Sequence, residues 1–273
     1  MSAGGAAPVL AHGVAGSGPT VLLLNGGLMS MAAWDPVARP LEAAFEVLRC
    51  DFRGQLLSRG AVPNDISGHV EDVRALLDSL GKDAVHVVGA SFGAFVGLLL
   101  AARHPGRVAS IVAVTAAERV MDAMWRDARP LIAACRDAAA GGDGGRVFEL
   151  LVPGTFSPAF AEAQREALEA RRRQVALLPR GFFEGLLPLL LALQGLDLRP
   201  ELGRIRCPAL VIGAGKDRTF PLPHSEALAS SIPGAELKVA PDSGHALVVE
   251  ATAVLVEMLR SFLSRVARTE VRS

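Results

Sequence analysis

The sequence predicts an α/β protein: a doubly wound, mostly parallel sheet with a helical segment inserted between two of its strands. Three observations carry that expectation. Short β-rich runs alternate with helical patterns along most of the 273-residue chain. Several of those runs are apolar nearly throughout, as strands covered on both faces must be. Residues 119–199 break the alternation and show helical patterns only.

The runs "TVLLLN" (20–25), "FEVLRC" (45–50), "AVHVVG" (84–89), "VASIVAV" (108–114), "PALVIG" (208–213) and "ELKVA" (236–240) are the predicted strands. Between the second and third, residues 65–81 carry a helical stripe of Ile66, Val70, Val73, Leu77 and Leu80, and Gly81 supplies a stop. Phe92–Ala102 is apolar throughout, which predicts a buried helix. A further helix is expected from about 246 to 268. The chain therefore divides into a core domain, residues 1–118 and 200–273, and a helical lid, residues 119–199. Within the lid, "AAAGGDGG" (138–145) predicts a flexible joint. Leu150, Leu151, Phe156, Phe182, Phe183, Leu186 and Leu187 offer more apolar surface than a thin lid needs, and most are expected to pack on the core domain. The lid holds eleven Arg against ten Asp plus Glu, so "RRRQ" (171–174) predicts a locally paired, solvated face.

Composition narrows the partners. The formal net charge is zero, against the basic excess that nucleic acid or an anionic membrane selects. The N-terminal "MSAGGAAPVLAHG" has no basic flank and no long apolar run, so no secretory signal is expected there. The longest apolar runs, Phe92–Ala102 and Leu186–Leu193, are too short to span a bilayer. Cys50, Cys135 and Cys207 are scattered and odd in number, which suits neither a zinc site nor a disulfide framework. They predict reduced core thiols in a cytoplasmic protein without metal or cofactor.

The most informative stretch is "GASFG", residues 89–93. It joins a predicted buried strand directly to a predicted buried helix. Gly-x-Ser-x-Gly in that context predicts a nucleophile elbow, a turn tight enough to need small residues two before and two after Ser91. The helix N-terminus then favours negative charge developing beside the hydroxyl. In a glycine-rich chain the pattern also arises by chance, so the flanking elements carry the weight.

A serine hydroxyl needs a base. His12 and His69 fall in or near expected surface segments. His86 lies within a strand, where a satisfied core histidine is the ordinary reading. His104 ends the helix after Ser91, placed to meet its C-terminal dipole. His224 follows a proline-rich turn. His245, in "APDSGHALVVE", follows the last strand and precedes the last helix, at the strand ends where open α/β sheets carry their sites. It is the predicted base. Asp217, in the loop after "PALVIG", is the predicted orienting acid, with Glu118 as fallback and Asp242 read as a turn residue.

The order Ser91, Asp217, His245, together with "LLLNGGLMSMAAW", "DFRGQLLS", "GASFG", "GAGKD" and "SGH", resembles the α/β-hydrolase fold family, in particular its lid-bearing 3-oxoadipate enol-lactonases and related esterases. The resemblance runs from about residue 8 to 265. It implies an oxyanion hole formed by the Gly27 and Phe92 N–H groups, and acyl transfer to Ser91 from a carboxylic ester, lactone or thioester. Two departures stand near the implied site: Asn25 replaces the family's histidine, and Leu56 replaces its second glycine. Asn25, Leu28, Leu56 and Trp125 are the candidate pocket residues. Relatives with an aspartate nucleophile, the epoxide hydrolases and dehalogenases, are set aside by Ser91, and the former also by the absence of tyrosine from the chain. Asn-Gly after the first core strand and Gly-Gln after the second are also similar, over a short span, to synthases that join two hydroxyacyl chains in rhamnolipid assembly. The alternatives to a hydrolase are thus an acyltransferase and a binding protein that has kept the fold.

Overall fold

A computed structural model describes residues 10–270. The leader-free reading of the N-terminus falls mostly on residues 1–9, outside the described residues. A seven-stranded sheet runs in the spatial order β1-β3-β2-β4-β5-β6-β7. Its strands are β1 (His12–Gly16), β2 (Thr20–Leu24), β3 (Glu46–Cys50), β4 (Val85–Ala90), β5 (Val108–Val114), β6 (Ala209–Ala214) and β7 (Glu236–Ala240). Only β1 is antiparallel, pairing with β3 from His12–Cys50 to Gly16–Glu46. It was not expected from sequence. "HGVAG" holds one large apolar residue, Val14, and that side chain is 47% exposed, so this edge strand shows no apolar run.

The six parallel strands stand where their β-rich runs predicted them. Along β2, Val21 and Leu23 enter one buried layer while Leu22 and Leu24 enter the other. This is the strand period of two applied to a sheet covered on both faces. One face is packed by α1 (Asp35–Leu41) and by the C-terminal helices. The other is packed by α2 (Ile66–Ser79) and α3 (Phe92–Arg103). Every residue of α3 from Phe92 to Ala102 is buried. Full burial of a leucine or valine side chain contributes about 1.5–3 kcal/mol, enough for these elements to dispense with a polar face.

Between β5 and β6 the chain leaves the sheet as α4 (Asp122–Ala139), α5 (Gly145–Thr155), α6 (Pro158–Ala163), α7 (Arg165–Ala176) and α8 (Arg180–Leu191). It leaves and returns side by side: Val120 N donates to Leu196 O and Leu198 N to Glu118 O, around a bridge between Arg119 and Asp197. This insertion has its own core, in which Cys135, Val147, Phe156, Phe183 and Leu186 are buried. That corrects the expectation that its apolar residues pack mainly on the core domain. From outside the insertion, Leu28 and Ala246 join this cluster. In α7, Arg172 and Arg173 share Glu169 and Arg171 donates to Gln174, so the basic run is locally paired but keeps an excess of positive charge.

Three short elements complete the order: α9 (Arg199–Leu202) and α10 (Leu222–Ser231), then α11 (Leu247–Glu250), which precedes α12 (Thr252–Glu270). The single helix expected over 246–268 is therefore two, broken at Ala251, whose φ of −135° is not helical. Among the described residues no single helix is long and apolar enough to cross a membrane.

Candidate active site

The strand β4 ends at Ala90, and Ser91 turns the chain into α3 with φ +50° and ψ −114°. Positive φ is strained for a residue with a Cβ. The turn is held by Ser91 N donating to Val114 O at 2.9 Å, and by Ala94 N and Phe95 N donating to Ser91 O. A Cβ on Gly89 would stand 2.3 Å from Gly93 O, and one on Gly93 would stand 2.3 Å from Leu24 O. The two glycines are thus required by contact with backbone. Ser91 does not cap α3 with its side chain, and among the described residues its hydroxyl has no hydrogen-bond partner, His245 included. Such bonds often tighten only when substrate binds.

Asp217 lies in the loop after β6 and His245 in the loop after β7. Asp217 Oδ1 accepts the N–H groups of Thr219 and Phe220, each at 2.8 Å. Its other oxygen, Oδ2, lies 2.8 Å from His245 Nδ1. The carboxylate side chain is 1% exposed and the imidazole 12%. A carboxylate that accepts from Nδ1–H fixes the tautomer and leaves Nε2 as the basic nitrogen. The two loops are also tied to each other, Gly215 N to Ala240 O and Lys216 N to Ser243 O. An aromatic series then links them to α3: Phe95 meets Phe220 at 5.5 Å and Phe220 meets the His245 ring at 5.4 Å. Ser91, Asp217 and His245 thus all follow parallel strands at their carboxyl ends, with only β5 between β4 and β6.

Of the other histidines, four lie beside polar partners of their own. His86 Nδ1 is 2.9 Å from Ser110 Oγ. His104 meets Glu71 at 3.1 Å, and His12 lies 3.1 Å from Leu10 O. His224 is 3.4 Å from Glu118, which also pairs with Arg119. Asp242 is exposed. His69 corrects the sequence expectation: it is fully buried, on the stripe of α2 between Ile66 and Val70, edge-on to Phe52 and Phe92. Burial, aided by the Arg53 charge, pushes its pKa down to about 4. The three cysteines are free, and burial raises their thiols to about 12 at Cys50 and Cys135 and about 11 at Cys207. They stay protonated and are poor nucleophiles.

The loop after β2 carries Asn25, Gly26 and Gly27. Among the described residues, neither Gly27 N–H nor Phe92 N–H has an acceptor. Phe92 N–H is the first of α3, a position with no intrahelical partner. A Cβ on Gly27 would meet only Leu190 of α8, at 3.9 Å, so the insertion stands over this loop. Asn25 is wholly buried and does not line an open pocket, which corrects its reading as a pocket residue. Its Nδ2 donates to Asp51 Oδ1 at 3.0 Å and to Gln55 Oε1 at 2.9 Å. Leu28 packs into the core of the insertion. Leu56 is 50% exposed. It lines a cleft of about 520 Å³ with Gly54, Val62, Phe182 and Pro188, a cleft that none of Ser91, Asp217 and His245 lines. Trp125 is half-buried in α4, and among the described residues no hydrogen bond or ring contact joins it to those three. Glu250, bonded to the loop of His245, is absent from the sequence expectations. Gln55, bonded to the loop after β2, enters them only through the Gly-Gln pair of "DFRGQLLS", with no role of its own.

Comparison with known proteins agrees with this fold. Residues 19–252 match the family model described as alpha/beta hydrolase fold. The chain is 30% identical over 261 residues to the "Putative carbamate hydrolase RutD" of Caulobacter sp. strain K31, covering 93% of this chain and 94% of that protein. It is 32% identical over 237 residues to the pimeloyl-[acyl-carrier protein] methyl ester esterase of Chromobacterium violaceum, covering 85% and 89%. The crystal structure of the enol-lactonase from Burkholderia xenovorans LB400 superposes with a TM-score of 0.83 at 25% identity, covering 93% of this chain and 96% of that one.

Proposed function

Since the chain belongs to the α/β-hydrolase fold family, we propose that it is a serine hydrolase of carboxylic esters, lactones or thioesters that works through an acyl-serine intermediate. The observation that carries this reading is the strained turn at Ser91, with a free hydroxyl beside the unengaged Phe92 amide. The His245–Asp217 pair supports it. The three named relatives cleave or are named for cleaving a methyl ester, an enol lactone and a carbamate, all bonds between an acyl carbon and a heteroatom.

Ser91 Oγ attacks the acyl carbon while His245 Nε2 takes its proton. The carbonyl oxygen becomes an oxyanion held by the N–H groups of Gly27 and Phe92. Collapse of the tetrahedral species breaks the bond to the leaving oxygen or sulfur, which takes the proton from His245. Water, deprotonated by His245, then attacks the acyl-Ser91 carbonyl; the bond from the acyl carbon to Oγ breaks, Ser91 Oγ takes the proton back from His245, and the acid leaves. Asp217 keeps Nδ1–H in place and stabilises the imidazolium. Residues 119–199 act as the lid, and Leu28 and Ala246, next to Gly27 and His245, are where its core meets the site.

The test is a fluorophosphonate probe with intact-mass and peptide analysis. One label on the peptide holding Ser91, lost in Ser91→Ala, is expected; labelling that survives in Ser91→Ala overturns the assignment. Turnover of an activated ester with millimolar alcohol present is expected to yield mostly free acid. Predominant new ester would make the protein an acyltransferase.

A further inference from the structure

We propose that Gln55 is a positioning residue that aims and polarises the Gly27 N–H for the oxyanion, and that Asn25 and Asp51 hold Gln55 in that role. The inference rests on the acyl-serine reading above.

Gly26 C=O and Gly27 N–H belong to one trans amide and point in opposite directions across it. Gln55 Nε2 donates to Gly26 O at 2.8 Å and to Gly27 O at 3.3 Å. Holding the Gly26 carbonyl from below turns the Gly27 N–H to the other side, where it has no acceptor. Donation to the carbonyl also polarises the amide, so its N–H becomes a stronger donor.

The orientation of Gln55 is forced. Its Oε1 accepts Phe52 N–H at 2.9 Å and Asn25 Nδ2 at 2.9 Å, so an exchanged amide would set donor against donor and carbonyl against carbonyl. Asn25 is forced in the same way, because its Nδ2 faces two acceptors, Asp51 Oδ1 and Gln55 Oε1. Asp51 is anchored in turn by Met31 N–H at 2.6 Å on Oδ1 and Leu57 N–H at 3.2 Å on Oδ2. Asn25, Asp51 and Gln55 are all buried, at 4% exposure or less. Among the described residues Asn25 Oδ1 is buried without a partner, while every other side-chain polar atom of the three is engaged. The network therefore specifies one geometry, because a misplacement strands further polar atoms. Asn25 is thus the part of the site that lets Gln55 do this: it supplies two donors toward the acceptors around it.

The test compares an activated short-chain ester with its thionoester, whose carbonyl sulfur accepts hydrogen bonds poorly. An intact oxyanion hole favours the oxygen ester. Gln55→Met keeps volume and loses both amide groups; Gln55→Glu keeps the acceptor for Phe52 but opposes an oxygen to the two glycine carbonyls. Both are expected to lower kcat on the oxygen ester by about tenfold or more, with KM within about twofold. The preference for oxygen over sulfur is expected to narrow in parallel. That preference is a ratio on one sample, so a reduced folded fraction cancels from it. A loss below about tenfold, a loss confined to KM, or an unchanged oxygen-to-sulfur preference overturns the proposal. Because Ser91 labelling is measured separately on the parent, failure here leaves the acyl-serine reading standing, and failure there removes both.

Discussion

Glu250 Oε2 accepts the backbone N–H of Ser157 at 3.0 Å, across 93 residues of sequence. The same oxygen accepts Gly244 N–H at 3.0 Å, so one carboxylate fastens the corner between α5 and α6 to the residue before His245. Ala246 N donating to Thr155 O and Thr219 Oγ1 donating to Gly154 O, both at 3.0 Å, complete the seam. The insertion is therefore bonded to both loops that carry the His245–Asp217 pair. Glu250→Ala strands two amides, at about 1–3 kcal/mol for each one fully buried. A melting temperature lower by several degrees is expected, at roughly 2–4 °C per kcal/mol, with a fall in kcat and a smaller effect for Glu250→Gln. Parent-like melting and kcat in Glu250→Ala would show that the seam does not depend on this side chain.

Asp217→Asn keeps an oxygen for Thr219 and Phe220, so the loop is expected to hold and circular dichroism to match the parent. The amide nitrogen would then face His245 Nδ1 and favour the wrong tautomer. A drop in kcat of about three to four orders of magnitude is the expected outcome. A loss under about tenfold, measured on folded protein, would move the orienting role to another acid.

The glycines of the turn separate steric from chemical need. Gly93→Ala places a methyl group 2.3 Å from Leu24 O, a backbone atom at the carboxyl end of β2. Overpacking against such a neighbour costs about 1–3 kcal/mol or more, so strong destabilisation is expected in a denaturant melt. Gly27→Ala meets nothing nearer than Leu190 at 3.9 Å, and parent-like stability is expected. Equal stability of the two variants would contradict the close approach of α3 to β2.

His69 gives a pH dependence with a definite sign. Both ring nitrogens are buried without a partner among the described residues, and the folded-state pKa falls to about 4 from 6.5. The unfolded chain therefore binds the proton first. The stability this neutral ring allows is fully present above about pH 6.5 and is lost as pH falls toward about 4. Between pH 7.5 and pH 5 the parent is expected to lose about 2 kcal/mol more than His69→Leu does, by urea unfolding at each pH. Identical losses in both proteins would show that His69 does not supply this dependence.

What the sequence determined by itself is whatever a short window of chain carries. The apolar runs of β2, β4, β5 and β6 needed no partner to be recognised, because a strand covered on both faces is apolar nearly throughout; β3 and β7 keep charged residues and are legible from their β-rich composition. The Gly89-Ser91-Gly93 spacing was equally local: the strain of the elbow is stored within five residues, and the glycines answer to it. His245 and Asp217 were found by their position after strands, which the alternation of elements supplies. Tertiary structure alone decided the rest. β1 is a strand only because β3 offers it a ladder, and its own residues are not apolar enough to announce it. His69 belongs to the core because α2 turns that face toward Phe52 and Phe92. Gln55 and Glu250 acquire their roles from backbone groups 29 and 93 residues away, Gly26 and Ser157. A hydrogen bond of that kind leaves no periodicity in the chain, since a backbone amide or carbonyl is present at nearly every residue. Which of them a side chain meets is settled when loops from separate strands converge at one edge of the sheet.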